Sequence, residues 1–170
     1  MPTIFLILTL LILITFVYAG LRAAPWVPTW NSDIDRFLKL AEIKPGQIVY
    51  DLGCGDGRLI CAAGKKGAHA TGFEISLLPF FLTKIRILFS GNKNTKIKYK
   101  DFWNYNLKEA DIIYFFLMPR IYTRMEKKLK KELKPGTKII TYTWGFKNWE
   151  AKKIDNGKGK QKMYLYEIEA

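Results

Sequence analysis

Apolar and polar positions change their period several times along this chain, and each change marks an element. Residues 4–19 carry no charge and are apolar apart from two threonines and a tyrosine, so a helix there is apolar on every face. Pro25 and Pro28 then favour extended backbone through residues 24–30. Asn31, Ser32 or Asp33 can cap a following helix with Ile34, Phe37, Leu38 and Ala41 on one face, and Pro45-Gly46 turns the chain. Beyond that point short apolar runs alternate with helical patterns. Residues 48–50, 70–74, 95–99, 111–116 and 138–143 read as strands. Helices are expected from Arg58, from a Ser76 cap to Phe89, and around Ile121, Met125, Leu129 and Leu133, which recur every four residues with lysines outside. Asn156-Gly157 is a hairpin signal that pairs the last two strands antiparallel, ending over residues 163–168. Strand-helix alternation of this kind predicts a doubly wound α/β sheet.

The first strand ends in Asp51-Leu52-Gly53-Cys54-Gly55-Asp56-Gly57-Arg58, where alternate glycines admit a tight turn and close approach of a ligand. A dinucleotide fingerprint needs G-x-G-x-x-G; here the third glycine comes one position early and an acid precedes the loop. That acid would repel a pyrophosphate and suits a ligand carrying an ammonium and a sulfonium. Glu74 ends the second strand, where a carboxylate can accept both ribose hydroxyls of an adenosine. The ligand this implies is S-adenosylmethionine, on Asp51, Gly53, Cys54, Gly55, Gly57, Glu74 and the adjoining Ile75. Asp101-Phe102 follows the third strand, positioned to bond an adenine amino group and stack its ring.

The apolar N-terminus is just under a bilayer span, extended by Leu21 past Gly20. A secretory signal could use Val17-Tyr18-Ala19 as its cleavage site but lacks a basic region ahead of the apolar run. A membrane anchor fits better, and the basic residues that follow put the catalytic domain on the cytoplasmic side of a single-pass protein. The expected organisation is an anchor at 1–22, a linker and pre-core helix at 23–46 whose aromatics can sit at headgroup level, and a catalytic domain at 47–170. The formal charge of +13 calls for an anionic neighbour. Cys54 and Cys61 read as reduced thiols, Cys61 as a core residue, and His69 as structural or surface.

Methyl transfer needs an uncharged nucleophile aligned with the methyl group. No Asn/Asp-Pro-Pro-aromatic set follows the fourth strand, where Phe116-Leu117-Met118-Pro119 stands, and no Pro-Cys pair supplies a thiolate. These absences argue against nucleobases; no metal is called for. An aromatic rim drawn from Trp26, Tyr114, Phe116, Tyr142 and Trp144 can hold a lysine stem and disfavour its ammonium form. Trp26, Phe116 and Tyr142 are the expected lysine-channel residues, with no general base assigned. Phe115 and Tyr166 read as core.

Three stretches, Pro25-Trp26-Val27-Pro28-Thr29, residues 48–58, and Phe116-Leu117 with Glu132-Leu133-Lys134-Pro135-Gly136-Thr137, resemble the small seven-strand protein lysine methyltransferases. These comprise archaeal broad-specificity enzymes and membrane-anchored mitochondrial ones. The resemblance implies a Rossmann-like, seven-stranded class I methyltransferase sheet of the α/β class with an N-terminal transmembrane helix. It implies protein lysines as substrate, and a role for Trp26, Val27 and Thr29 in closing the cofactor and lysine site. The chain departs from the family at Trp30, where a proline is usual, and at Tyr142-Thr143-Trp144, where archaeal members carry His-Glu. The second reading is a lipid or small-molecule N-methyltransferase, suited by the anchor and by Lys127, Lys128, Lys130, Lys131 and Lys134. Nucleic-acid methylation rests on charge alone, and a cofactor-binding protein without turnover is the non-enzymatic alternative.

Overall fold

The computed structural model describes residues 2–169. Its elements in chain order are α1 (Pro2–Arg22), α2 (Asn31–Ala41), β1 (Ile48–Leu52), α3 (Arg58–Lys65), β2 (His69–Glu74), α4 (Leu77–Ser90), β3 (Thr95–Tyr99), β4 (Ile112–Phe115), α5 (Tyr122–Glu132), β5 (Lys138–Tyr142), β6 (Lys153–Asp155) and β7 (Met163–Glu167). The strands form one sheet in the order β3-β2-β1-β4-β5-β7-β6. The first five are parallel and β7 runs antiparallel between β5 and β6. This is the seven-stranded arrangement expected above. The chain reverses at β1, whose neighbours are β2 and β4, so the carboxyl end of β1 is the switch point where doubly wound sheets hold ligands.

Side chains alternate across the central strands because the strand period is two. Val49, Ile112, Tyr114, Ile140 and Tyr142 point to one face, with Phe37 of α2 and Ile60 of α3. Tyr50, Leu52, Ile113, Phe115 and Ile139 point to the other, with Met125 and Leu129 of α5. Both faces are covered, which explains why the parallel strands read as continuous apolar runs. Ile121, Met125, Leu129 and Leu133 are all buried, as their spacing predicts, and Cys61, Phe115 and Tyr166 lie in the core while His69 is exposed.

Three local expectations need correction. None of Asn31, Ser32 and Asp33 caps α2; Trp30 holds that position with no side-chain bond. Asp33 is drawn away by stronger partners: it accepts from the Tyr142 hydroxyl at 2.7 Å and from Arg36 at 2.8 Å, and Arg36 also reaches Asp155 at 3.0 Å. Ser76 stands at the head of α4 without a side-chain cap bond, because Glu74 Oε1 already accepts from the Ile75 and Ser76 N–H groups. Residues 156–162 join β6 to β7, so the strands pair antiparallel as expected but through a longer loop than a two-residue Asn-Gly turn.

Asp33 is 2% exposed and ties the pre-core helix to the end of β5. Removing it strands a buried hydroxyl and half of an ion pair. Asp33→Ala is expected to cost about 3 kcal/mol, read by urea unfolding in detergent, whereas Asp35→Ala on the exposed side of α2 should change little.

Candidate functional site

At the carboxyl ends of β1, β2 and β4 lies a cavity of about 740 Å³. Its floor is the glycine loop. A Cβ on Gly55 would stand 2.6 Å from Trp26 Nε1 and one on Gly57 would stand 2.4 Å from Thr83 Cγ2, and both residues have positive φ. The loop is therefore closed to any larger residue at either position. Thr83 holds it from α4, its hydroxyl donating to the Gly55 carbonyl at 2.7 Å.

Three acids surround the loop, and their partners separate them. Asp56 is bonded by Arg58 at 2.6 Å and by Arg86 at 2.9 Å. Burial pushes its carboxyl up, but the arginines outweigh burial and hold it below the ordinary range. Glu74 is 7% exposed and accepts from Ile75 N and Ser76 N, each at 2.8 Å, and from Gly55 N at 3.0 Å. Burial raises its pKa despite those donors. A carboxylate offers about four acceptor positions; with three taken, Glu74 has room for one ribose hydroxyl instead of both. Asp51 is 3% exposed and makes no ion pair among the described residues. Burial, then the negative charges of Glu74 and Asp56, lift its pKa well above the ordinary value. An acid held in this state is stabilised by a bound cation, so the site fits a ligand bearing ammonium and sulfonium groups and disfavours a diphosphate. The same burial, with Asp51 and Glu74, raises the Cys54 thiol, which removes it as a nucleophile.

Of the expected residues, the cavity wall collects Trp26, Thr29, Asp51, Gly53, Cys54, Gly55, Glu74, Ile75, Phe102 and Phe116. Gly57 lies behind the loop against Thr83. Asp101 faces a neighbouring groove beneath α1, where Arg22 bonds it at 2.6 Å and Trp103 N at 3.0 Å. Tyr142 is outside the wall as well; it meets Phe116 edge-on at 4.8 Å and donates to Asp33, acting as a support behind that ring. Trp26 turns inward over Gly55 with its Nε1 buried and unpartnered, while Trp30 is exposed. Arg58 reaches back to the Thr29 carbonyl at 2.7 Å and fastens the proline-rich linker over the loop.

Three further features carry weak sequence signals. Tyr114 pairs in register with Asp51 and lines the cavity, its buried hydroxyl without a partner and its pKa raised by burial. The alternation of β4 foretells its face, but not the missing partner. Ala19 and Ala23 show that the end of α1 forms part of the wall. At Thr143 φ is +73°, costly for a β-branched residue; the reversal lets Thr141 Oγ1 donate to the Trp144 carbonyl at 2.6 Å and stacks Trp144 on Phe116.

Residues 51–153 match the family described as the ANTKMT methyltransferase domain. The chain is 33% identical to a protein-lysine N-methyltransferase of Saccharolobus islandicus (strain REY15A), over 85% of this chain and 93% of that protein. It is 30% identical to an ATP synthase lysine N-methyltransferase of Xenopus laevis, over 91% of this chain and 69% of the relative. Among solved structures, an RNA methyltransferase from Salinibacter ruber in complex with S-adenosyl-L-homocysteine superposes with a TM-score of 0.80 at 26% identity, covering 84% of this chain and 94% of that one.

Two outcomes follow from the buried acids. Asp51→Asn should weaken S-adenosylmethionine binding at least tenfold, about 1.4 kcal/mol, while raising the thermal midpoint of the ligand-free protein by roughly 2–4 °C. The sign comes from linkage: an acid whose pKa is raised on folding destabilises the fold when ionised, and that penalty fades as pH falls through the raised value. Acidification from neutral pH should therefore narrow the midpoint difference between wild type and Asp51→Asn, and should weaken cofactor binding by the wild type.

Proposed function

This chain belongs to the ANTKMT methyltransferase-domain family, and from that premise we propose that it is a membrane-anchored protein-lysine N-methyltransferase using S-adenosylmethionine. The observation that carries the methyl donor is the unpaired, buried Asp51 beside Glu74 and a glycine loop that admits no side chain. Bound there, the cofactor supplies an electrophilic methyl group on a sulfonium. Asp51 would balance the positive charge, Glu74 would take one ribose hydroxyl, Phe102 would lie against the adenine and Ile75 beside it, and the backbone of 53–55 would pass close to the ligand.

For the acceptor, the apolar wall made by Trp26, Phe116 and Leu117 suits a lysine's methylene stem and penalises its ammonium form. The Tyr114 hydroxyl, unpartnered in that wall, is available to orient the incoming amine. Its raised pKa keeps it a neutral phenol, so the amine loses its proton to water before or during docking and not to this side chain. The named activities of the two relatives support lysine as acceptor. Helix α1 is apolar over its length and almost wholly exposed, which supports a single-pass anchor retained in the mature protein, with the domain of residues 47–170 on the cytoplasmic face.

RNA methylation is the second reading, favoured by the similarity to the Salinibacter ruber protein and by the basic charge. Part of that charge is spent internally, since Lys128, Lys130 and Lys134 pair with Glu132, Glu126 and Asp111.

The full chain in detergent, supplied with radiolabelled S-adenosylmethionine and a membrane-plus-ribosome extract, should yield methyllysine after acid hydrolysis. Label recovered as methylated nucleoside, or only in the organic extract, would replace lysine by RNA or lipid as the acceptor. Tyr114→Phe should lower kcat/KM for the protein substrate about tenfold, the scale of one lost hydrogen bond, while leaving the cofactor Kd within twofold.

A further inference from the structure

Helix α4 presents the wrong face to solvent for a soluble domain. Leu78, Phe81, Ile85, Leu88 and Phe89 fall on a single helical stripe, and they are 40%, 54%, 52%, 77% and 84% exposed. The helix buries only Pro79 and Thr83. By contrast α5 buries its apolar stripe and turns its lysines outward. A patch of this kind marks a surface that is normally covered.

Continuity, length and charge indicate what covers it. The apolar helix α1 meets the domain at the first turn of α4, where Leu77 N donates to Thr15 Oγ1 at 3.2 Å, so the two apolar surfaces adjoin. Ahead of Thr15, α1 is only about 20 Å long at 1.5 Å per residue, against a hydrocarbon core of about 30 Å. For α1 to cross, the body beside Thr15 must sink about 10 Å into the headgroup and acyl boundary, the depth at which in-plane amphipathic helices rest. Between residues 75 and 100 there is no Asp or Glu, while Lys84, Lys93, Lys96 and Lys100 are exposed. An anionic lipid surface complements that charge, and lysine stems can lie along apolar surface with their ammonium groups among headgroups.

We propose that α4 is a second membrane-docking element, lying in the plane of an anionic bilayer with its stripe at the headgroup and acyl boundary. The proposal rests on the reading of α1 as an anchor. It sets the domain's orientation: the cavity, whose wall includes Ala19 and Ala23 of α1 and Ser76 just ahead of α4, opens beside the membrane surface.

The test uses the full chain in vesicles of phosphatidylcholine and phosphatidylglycerol. Single-cysteine variants Phe89→Cys, Leu10→Cys and Lys127→Cys carry an environment-sensitive fluorophore; Cys54 and Cys61 are buried and escape labelling. The label at position 89 should be quenched by lipids spin-labelled near the headgroup, and its iodide quenching constant should be several-fold below that at position 127 on α5. Iodide quenching at 89 equal to that at 127 would overturn the proposal. In that event lipid quenching at position 10 would preserve the anchor reading, and its absence would remove both. Protection at 89 with energy transfer between differently labelled copies, but no lipid quenching, would also overturn the proposal, in favour of self-association.

Discussion

The constraint on which the structure turns is the burial of two carboxylates, Asp51 and Glu74, at the ends of adjacent parallel strands. Ionised acids in such surroundings cost several kcal/mol unless paired or hydrogen-bonded. The fold treats the two differently. Glu74 receives three backbone N–H groups from the glycine loop and the chain entering α4, so its charge is satisfied by the elements it joins. Asp51 receives no such help, although Arg58 and Arg86 stand close enough to claim Asp56. The unpaired acid stores an affinity for positive charge, and the fold gives up some stability to keep it.

The rest of the site is built around that acid. The glycines make the loop low enough for close approach, Thr83 and Gly55 N fix it from both sides, and the proline-rich linker crosses above it, held by Arg58 at the Thr29 carbonyl. Beyond Asp51, Tyr114 begins a wall that continues through Phe116, with Tyr142 and Trp144 packed behind. Asp33 of the pre-core helix bonds Tyr142, so the residues ahead of β1 secure the acceptor side of the cavity as well as its roof. Donor and acceptor surfaces thus share one end of the sheet.

Much of this is legible in the sequence because the decisive signals are local. A strand, an acid and three glycines within one decapeptide define the loop, and the period of the following segments defines the sheet. What sequence reasoning misses are long-range competitions for polar groups. Asp33 scores as a helix cap until Tyr142, over a hundred residues away, claims it. Asp101 scores as an adenine contact until Arg22 of α1 bonds its carboxylate. Glu74 scores as a two-hydroxyl acceptor until three backbone donors are counted. Tyr142 lies one layer behind its expected place because Phe116, from the loop after β4, stands in front of it. Such outcomes depend on which donors the tertiary fold delivers, and no spacing rule contains them.

The central claim is that Asp51 is kept unpaired, with a raised pKa, to receive a cation. It is tested most directly by titrating the full chain with S-adenosylmethionine at mildly acidic pH in buffers of different ionisation enthalpy, which counts the protons exchanged on binding. The account predicts that binding releases protons, as the incoming positive charge drives Asp51 to ionise, and that the release falls sharply in Asp51→Asn. Binding of undiminished affinity to Asp51→Asn, with proton exchange the same as in the wild type, would contradict it.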